Sequence, residues 1–316
     1  MIVKQPDATE KNSEKQESAD DCSGDCAKCA AANPCETEQQ RQHRLQQKRL
    51  EERAALMRHQ ILIISGKGGV GKSTVAANLA WALAAKEFEV GLLDADLHGP
   101  TIPLIAGVKG HLPIGKGGAF VPVKAGERFR VMSMGLLTPD QNAPIIWRGP
   151  LRANVIRQLI ADVEWGRLDF FIVDLPPGTG DEPLTVAQAF PKAAGAIVVS
   201  TPQEASLADC RKAVNFVRAV ELPVLGVIEN MSGFVCPHCG EQTDIFGRGG
   251  AERMAAQMGV PFLGAVPLVP DVVVRADRGQ SLVHPEAPEA SRRAFEAVVD
   301  ALMSQFGVEE AAAAGG

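Results

Sequence analysis

Short apolar runs alternate with longer segments of mixed apolar and polar residues between residues 59 and 307. Several of the short runs, such as ILIIS and GAIVVS, are almost entirely apolar, which is typical of strands that are buried on both faces of a parallel sheet. The longer segments repeat apolar residues at the spacing of a helix. The alternation predicts an α/β domain with a mostly parallel sheet and helices on both of its faces.

The same pattern predicts where the individual elements lie. Strands are expected at residues 61–65, 90–94, 129–134, 169–174, 195–200, 224–230 and 261–267. Helices are expected after Gly71, after Gly149, after Asp181, and at residues 204–220, 249–258 and 286–303.

Both ends of the chain depart from this alternation. Residues 1–36 are rich in Glu, Asp, Lys and Ser, and they carry too few large apolar residues to fold by burial alone. We expect this extension to be disordered unless a metal orders it. Residues 37–58 have the composition of a solvated helix and predict a helical linker. The predicted domain then covers residues 59–307, and residues 308–316 form a flexible tail.

Composition and charge narrow the class of protein. The 316-residue chain has a formal net charge of −6, which argues against nucleic acid as a partner because binding to phosphates requires a basic face. No apolar run reaches the roughly 20 residues of a membrane span, and the first residues lack the features of a secretory or transit peptide. We therefore expect a cytoplasmic protein that binds neither nucleic acid nor membrane. In that compartment the seven cysteines should be reduced thiols or metal ligands.

A phosphate-binding loop follows the first predicted strand. The segment GKGGVGKST has the glycines, lysine and serine of this motif, and it lies between a strand and a helix as the motif requires. Glycines let backbone N–H groups converge on phosphate oxygens, Lys72 neutralises the β- and γ-phosphates, and the Ser73 hydroxyl binds Mg²⁺. The residues expected to hold Mg²⁺-ATP are Gly66, Lys67, Gly68, Gly69, Val70, Gly71, Lys72, Ser73 and Thr74.

Acidic residues end two other predicted strands. Asp174 closes an apolar strand, as an acid does that holds Mg²⁺ through water in nucleotide-hydrolysing proteins. Asp94 and Asp96 follow the second strand, at the carboxyl edge where open α/β sheets bind ligands. Asp94 is equally well read as a site acid or as a buried structural acid, and both interpretations stay open.

Two cysteines in the segment FVCPHCGE supply half of a metal site. Cys236 and Cys239 have the spacing of metal ligands, but a zinc ion or an iron–sulfur cluster usually takes four. Zinc is the usual occupant of such a pair when nothing else is known, and a redox pair is disfavoured because the motif does not open a helix. The phosphate-binding loop in the same chain favours an iron–sulfur cluster, because a structural zinc needs no ATPase, whereas a cluster that must be released has a use for one.

Four more cysteines lie in the polar extension, at Cys22, Cys26, Cys29 and Cys35. They could hold an iron–sulfur cluster, hold zinc, or stay free thiols, and a bound metal would be the segment's only source of order. They could also complete the site of Cys236 and Cys239 within one chain.

The motifs taken together resemble the Mrp/ApbC family of ATP-binding iron–sulfur cluster carriers, over roughly residues 59–305. The segments that carry the resemblance are GKGGVGKST, DADLHGP, WRGP, DLPPGTGDE, STPQEASLADCRKAVNF and ENMSGFVCPHCGEQTDIFGRGG. Lys67, directly after the first glycine of the loop, resembles the signature lysine of the deviant Walker A motif in P-loop NTPases of the MinD/ParA type.

The resemblance implies a function and several residue roles. Lys67 would reach the nucleotide of a partner subunit, Asp96 would help position the attacking water, and Asn230 would contact the adenine. The homodimer of this family would bring together two copies of Cys236 and Cys239, whose four thiolates bridge a [4Fe-4S] cluster. The cluster would pass to apo iron–sulfur proteins. The alternative is a positioning ATPase of the MinD/ParA kind that carries a structural zinc.

Overall fold

A mostly parallel β-sheet forms the centre of the computed structural model, which describes residues 38–97, 99–110, 115, 119–137 and 149–307. The chain divides into two units between Leu45 and Gln46. The strands are β1 (Met57–Ile64), β2 (Val90–Asp94), β3 (Val123–Lys124), β4 (Phe129–Ser133), β5 (Leu168–Asp174), β6 (Gly195–Ser200), β7 (Val224–Val235), β8 (Gln242–Thr243) and β9 (Phe262–Leu268).

Helices connect most of these strands, as crossover connections between parallel strands require. They are α1 (Glu38–Ala54), α2 (Lys72–Ala85), α3 (Ile102–Ile105), α4 (Gly149–Ala161), α5 (Asp181–Ala189), α6 (Glu204–Ala219), α7 (Gly250–Met258), α8 (Asp271–Asp277) and α9 (Glu289–Phe306). A short 3₁₀ turn covers Met134–Leu136. Within the described ranges, no helix is long and apolar enough to cross a membrane.

The strand order in the described part of the chain is β3-β4-β2-β5-β1-β6-β7-β8, and β9 pairs with β7. Only the two shortest of these strands run antiparallel to their neighbours, β3 beside β4 and β8 beside β7. The central strands β2, β5, β1, β6 and β7 are all parallel. Their carboxyl ends therefore meet at one edge of the sheet, where ligands bind in open α/β folds.

Helices cover both faces of the central strands. Successive side chains of a strand point to opposite faces, and Ile61, Leu62, Ile63 and Ile64 of β1 are all buried. Strands β2 and β6 are buried at every position as well. The predicted architecture, a mostly parallel sheet with helices, is confirmed.

Two strands are longer than their apolar runs predict. β1 begins at Met57, and its buried Gln60 is accommodated because the side chain donates to the carbonyl oxygens of Ala54 and Met57, at 2.8 and 3.1 Å. The His59 ring stacks against Phe170, with centroids 5.2 Å apart. β7 continues to Val235 because the short strand β8 pairs with its end. The short elements α3, α8, β3 and β8 were not predicted, since each spans too few residues to show a period.

Helix α1 covers most of the predicted linker, and its second half packs on the domain. Leu50 is buried, and the Arg49 guanidinium lies 3.1 Å from the Asp162 carboxylate beyond the end of α4. Arg53 donates to the carbonyl oxygen of Ala161. The boundaries predicted at residues 36, 58 and 307 stay predictions, and the extension 1–36 and tail 308–316 lie outside the described residues.

Candidate nucleotide site and cysteine loop

The phosphate-binding loop (P-loop, residues 66–74) joins β1 to α2 and borders a cavity of about 300 Å³. The cavity is lined by Ser65, Lys67, Gly68, Gly69, Val70, Gly71, Lys72, Ser73, Thr74, Asp96, Gly99, Thr101, Ile105 and Pro177. The cavity thus brings most of the predicted P-loop residues together with Asp96, which was predicted from a separate motif. Sequence reasoning missed Ser65, Gly99, Thr101 and Ile105, whose types are too common to signal a site. Ser65 also supports the loop, because its hydroxyl donates to the Lys67 carbonyl at 2.9 Å.

Two glycines of the P-loop are required by close contacts. A Cβ on Gly66 would stand 2.2 Å from the carbonyl oxygen of Asp209 in α6. Gly71 has a left-handed backbone, with φ of +78°, and a Cβ there would stand 2.2 Å from the Asn230 amide nitrogen. A side chain at Gly66 would require movement of the α6 backbone, and one at Gly71 would displace the Asn230 side chain and strain the left-handed backbone. Residues of α6 and β7 thus pack closely against the loop.

A buried ion pair links the P-loop to the neighbouring strand β5. The Lys72 ammonium lies 2.5 Å from one carboxylate oxygen of Asp174, and the Ser73 hydroxyl donates to the other at 2.6 Å. Asp174 is fully buried and Lys72 is 7% exposed. Burial raises the pKa of Asp174, and the positive charge of Lys72 opposes that rise. The three side chains supply one cation for phosphate and hard oxygen ligands of the kind Mg²⁺ prefers.

Asp94 is a buried acid that shapes the loop after β2. Its carboxylate accepts hydrogen bonds from the backbone N–H groups of Asp96 and Ile102, at 3.1 and 3.2 Å, and from the Ser133 hydroxyl at 3.1 Å. It lies directly across the strand pair from Asp174. Burial and, second, the charge of Asp174 raise the pKa of Asp94 to about 8. These contacts favour the reading of Asp94 as a structural acid that holds this loop against the site.

Lys67 and Asp96 line the same cavity. Both are half-buried, and the Asp96 carboxylate accepts a hydrogen bond from the backbone N–H of Gly99 at 3.2 Å. The loop that Asp94 holds therefore places the Asp96 carboxylate beside the P-loop. The roles expected of Lys67 and Asp96 stay predictions.

Asn230 lies against the back of the P-loop. It is 8% exposed, and its amide nitrogen donates to the Val70 carbonyl at 2.9 Å. The next residue, Met231, adopts a left-handed backbone with φ of +57°, which is uncommon for a residue with a side chain and persists only where its surroundings hold it. The expected contact of Asn230 with adenine stays a prediction.

Cys236 and Cys239 lie in the loop that follows the buried part of β7, residues 233–248, here called the cysteine loop. The Cys236 backbone N–H donates to the Glu241 carbonyl at 3.0 Å, and the Gly240 N–H donates to the Cys236 carbonyl at 2.9 Å. These bonds form a tight turn that presents Cys239 at the surface and leaves Cys236 half-buried. Among the described residues, no group of three or more His, Cys, Asp and Glu side chains is placed to hold a metal.

The turn also lowers the pKa of the Cys236 thiol. Backbone N–H groups of Cys239 and then of His238 point at the Cys236 sulfur, as does the Cys239 side chain, and they lower the pKa of Cys236. A lowered thiol pKa favours the thiolate, which is the form that binds metal. The pair is therefore chemically suited to a soft metal or an iron–sulfur cluster, with half the ligands such a site needs.

The remaining cysteines differ from this pair. Cys210 is buried in α6, where burial raises the pKa of its thiol to about 11, as expected of a small packing residue. The cysteines of the extension, Cys22, Cys26, Cys29 and Cys35, lie outside the described residues.

Known proteins are similar to this chain in sequence. A family model for the ParA-type NUBPL iron-transfer P-loop NTPases matches residues 56–303. An iron–sulfur cluster carrier protein of Methanocaldococcus jannaschii is 45% identical, over 83% of this chain and 90% of that protein. The cytosolic Fe–S cluster assembly factor CFD1 of Eremothecium gossypii is 46% identical, over 72% of this chain and 83% of that protein.

Two solved structures have the same fold. A nucleotide-binding protein of Archaeoglobus fulgidus in complex with ADP is 40% identical, with a TM-score of 0.65, and covers 74% of this chain and 91% of its own. The septum site-determining protein MinD of Pyrococcus horikoshii, in complex with Mg-ADP, is 23% identical, with a TM-score of 0.57, over 79% of this chain and 98% of its own. At that identity the second likeness shows the fold alone.

The fold and the P-loop define a ParA-type P-loop NTPase, and the mostly parallel sheet with helices confirms the predicted fold class. The chain belongs to the NUBPL iron-transfer P-loop NTPase family, whose relatives include iron–sulfur cluster carriers and assembly factors. The resemblance to iron–sulfur carrier ATPases is thereby confirmed.

The raised pKa of Asp94 predicts a pH dependence of stability. The pKa is about 8 in the folded protein against an ordinary 3.8, so the folded protein binds this proton more tightly. The free energy of unfolding contributed by Asp94 therefore falls as the pH rises from about 4 to about 8. Asn at position 94 cannot titrate. In Asp94→Asn we therefore expect the free energy of unfolding to depend less steeply on pH between about 4 and 8. The free energy is measured by urea unfolding of the nucleotide-free, Mg²⁺-free protein at a series of pH values. Asp300→Asn, at an exposed acid, should keep the wild-type slope. An unchanged slope in Asp94→Asn would show that this carboxyl does not titrate as described.

Proposed function

We propose that this chain is an ATP-dependent iron–sulfur cluster carrier that holds a [4Fe-4S] cluster between two copies of itself and transfers it to apo iron–sulfur proteins. The observation that carries the proposal is the accessible cysteine pair on a P-loop NTPase core that belongs to the iron-transfer family. A cluster that must leave the protein requires ligands at the surface. A structural zinc ion stays bound, so its ligands do not need to be accessible.

The nucleotide site supports ATP as the energy source. Phosphate oxygens that enter the cavity would replace Asp174 as the partner of Lys72. Ser73 would bind Mg²⁺ through its hydroxyl, and Asp174 would hold the ion through water. Lys72 would then face phosphate instead of Asp174, and Asp174 would face Mg²⁺ instead of Lys72. Neither buried charge would be left without an opposite charge. Asp96 would orient the attacking water, and Lys67 would stabilise phosphate charge, in keeping with its expected reach towards a partner's nucleotide.

A homodimer completes the cluster site. One cysteine loop offers two thiols, while a cubane cluster takes four. In a two-fold dimer the same patch of each subunit meets its own copy, so two cysteine loops would supply Cys236 and Cys239 twice. The single-chain competitor, in which cysteines of the extension complete the site, concerns residues outside the described ranges, and the experiments below distinguish the two.

The net charge and the names of the relatives support a proposal for the compartment and the partners of this protein. The net charge of −6 supports no role for nucleic acid. Relatives named as cytosolic assembly factors support a cytoplasmic protein without a membrane partner. We propose apo iron–sulfur proteins as recipients. Cys22, Cys26, Cys29 and Cys35 would bind a second cluster in the extension.

Removing Lys72 should abolish ATP hydrolysis. Lys72→Ala deletes the cation that faces the phosphates, and loss of one charge-stabilising donor lowers turnover by about 100-fold or more. It also leaves the Asp174 carboxylate buried without its partner, so the melting temperature should fall as well. Phosphate release and thermal unfolding measure the two effects. Lys212→Ala, at a lysine 73% exposed on α6, is the matched control and should behave as wild type. Wild-type turnover in Lys72→Ala would refute the assigned nucleotide site.

Removing Cys236 should release both the bridging cluster and the dimer. In a symmetric dimer, Cys236→Ala takes away two of four ligands at once, and metal–ligand energy that holds the subunits together is lost with them. Iron per chain should fall and the mass by light scattering should shift to the monomer, under anaerobic conditions. Cys210→Ala, at the buried thiol, should keep both values. Full iron content in Cys236→Ala would exclude the cysteine loop as the cluster site.

A further inference from the structure

Two adjacent polar residues within β7 face different neighbours. Asn230 touches the P-loop, and Glu229 touches the residues that flank the cysteine loop. Glu229 and Asn230 are both buried, 0% and 8% exposed. Consecutive residues of a strand point to opposite faces, so the two side chains serve different neighbours. Polar groups are seldom buried without bonds that fix them, and both of these residues have such bonds.

Asn230 is fixed to the nucleotide site. Its amide nitrogen donates to the Val70 carbonyl at 2.9 Å. The same nitrogen occupies the space that a side chain on Gly71 would need. The backbone of these two P-loop residues is therefore in direct contact with β7. A displacement of the loop when phosphate enters would be felt first at the Asn230 amide, because close-packed groups cannot absorb it in a void.

Glu229 is fixed to both ends of the cysteine loop. One carboxylate oxygen accepts hydrogen bonds from the Ser232 hydroxyl at 2.6 Å and the Gly249 backbone N–H at 2.7 Å, and the other accepts from the Ala251 N–H at 2.6 Å. Ser232 precedes the cysteine loop, and Gly249 and Ala251 follow it at the start of α7. The carboxylate thus clamps the base of the loop, with the helix N-terminus adding a favourable dipole.

The backbone between the two contacts is constrained. Met231 has a left-handed backbone, with φ of +57°. The register of β7 against β9 shifts between Asn230 and Phe234. Such a kink has few alternative conformations open to it, so a shift at Asn230 is passed to Ser232 and the clamp instead of being lost in a flexible segment.

We propose that Asn230 and Glu229 are positioning residues that couple nucleotide occupancy of the P-loop to the accessibility of Cys236 and Cys239. The inference rests on the proposed function and adds to it a physical route between the ATPase site and the cargo. Nucleotide would tighten the P-loop against Asn230, and the clamp at Glu229 would close the base of the cysteine loop. By linkage, metal on the cysteines would change nucleotide affinity by the same factor.

Thiol alkylation of the full-length, reduced, metal-free protein tests the coupling. N-Ethylmaleimide is added anaerobically with and without saturating Mg-ADP or Mg-ATP, and labelling of the peptide that carries Cys236 and Cys239 is followed by mass spectrometry. Buried Cys210 reports any global opening in the same samples. In wild type we expect nucleotide to slow labelling by about threefold or more, within the range of coupling through contiguous contacts.

Variants separate coupling from stability. In Asn230→Ala, measured at nucleotide concentrations that saturate that variant, the nucleotide effect should disappear. Asn78→Ala is the matched control, because it removes another buried asparagine, which donates to the Thr74 carbonyl at 2.8 Å and has no contact with the cysteine loop. It should keep the wild-type ratio. Glu229→Gln places an amide among N–H donors and should both speed labelling and remove its nucleotide dependence.

The outcomes distinguish this inference from the proposed function. An unchanged labelling rate in wild type with nucleotide, or a full nucleotide effect in Asn230→Ala, would overturn the coupling. Iron content and ATP hydrolysis are measured on the same preparations. If they persist while the coupling fails, the carrier function stands without this link. Absence of iron from the wild type would instead count against the carrier function itself.

Discussion

The ion pair between Lys72 and Asp174 is the interaction on which the rest of the site depends. Two charges are removed from water at the carboxyl edge of the sheet, and each is tolerable there only because the other lies 2.5 Å away. This requires β1 and β5 to be neighbours, with Lys72 at the first position of α2 and Asp174 at the last position of β5. The parallel sheet places both residues at the same level, so the topology itself builds the nucleotide site.

The neighbouring strands extend this arrangement in both directions. On one side, β2 brings Asp94 beside Asp174, and the bonds that Asp94 accepts hold the loop bearing Asp96. On the other side, β7 carries Glu229 and Asn230 midway along its length. Asn230 bonds to the P-loop, and Glu229 bonds to the residues that flank the cysteine loop. These contacts give the proposed coupling between nucleotide and cysteines a short route through β7. Cys239 is exposed and Cys236 is half-buried, whereas Lys72 and Asp174 are buried, as suits the proposed cargo that leaves and a nucleotide that is held.

The sequence predicted the parts of this structure that depend on local pattern. Apolar runs indicated the parallel sheet, and the P-loop glycines, Lys72, Ser73 and Asp174 were identified from motif and context alone. Contacts between segments that are distant in the chain could not be predicted from the sequence. Glu229 lies in the apolar run VLGVIEN and shows its role only when Gly249 and Ala251 fold back onto it. The role of Asp94 was left open for the same reason, because its partner Ser133 lies on another strand. The polar start of β1 was hidden because Gln60 finds its hydrogen bonds only after folding.

The most direct test of the account is the stoichiometry of the cluster when the extension cannot contribute ligands. A full-length variant with Cys22, Cys26, Cys29 and Cys35 replaced by serine would be reconstituted anaerobically, and its iron, sulfide and mass by light scattering measured on one sample. The account predicts a dimer that holds about four irons per two chains, since each chain provides two thiolates. A monomer holding a complete four-iron cluster, or a variant unable to bind iron, would contradict it.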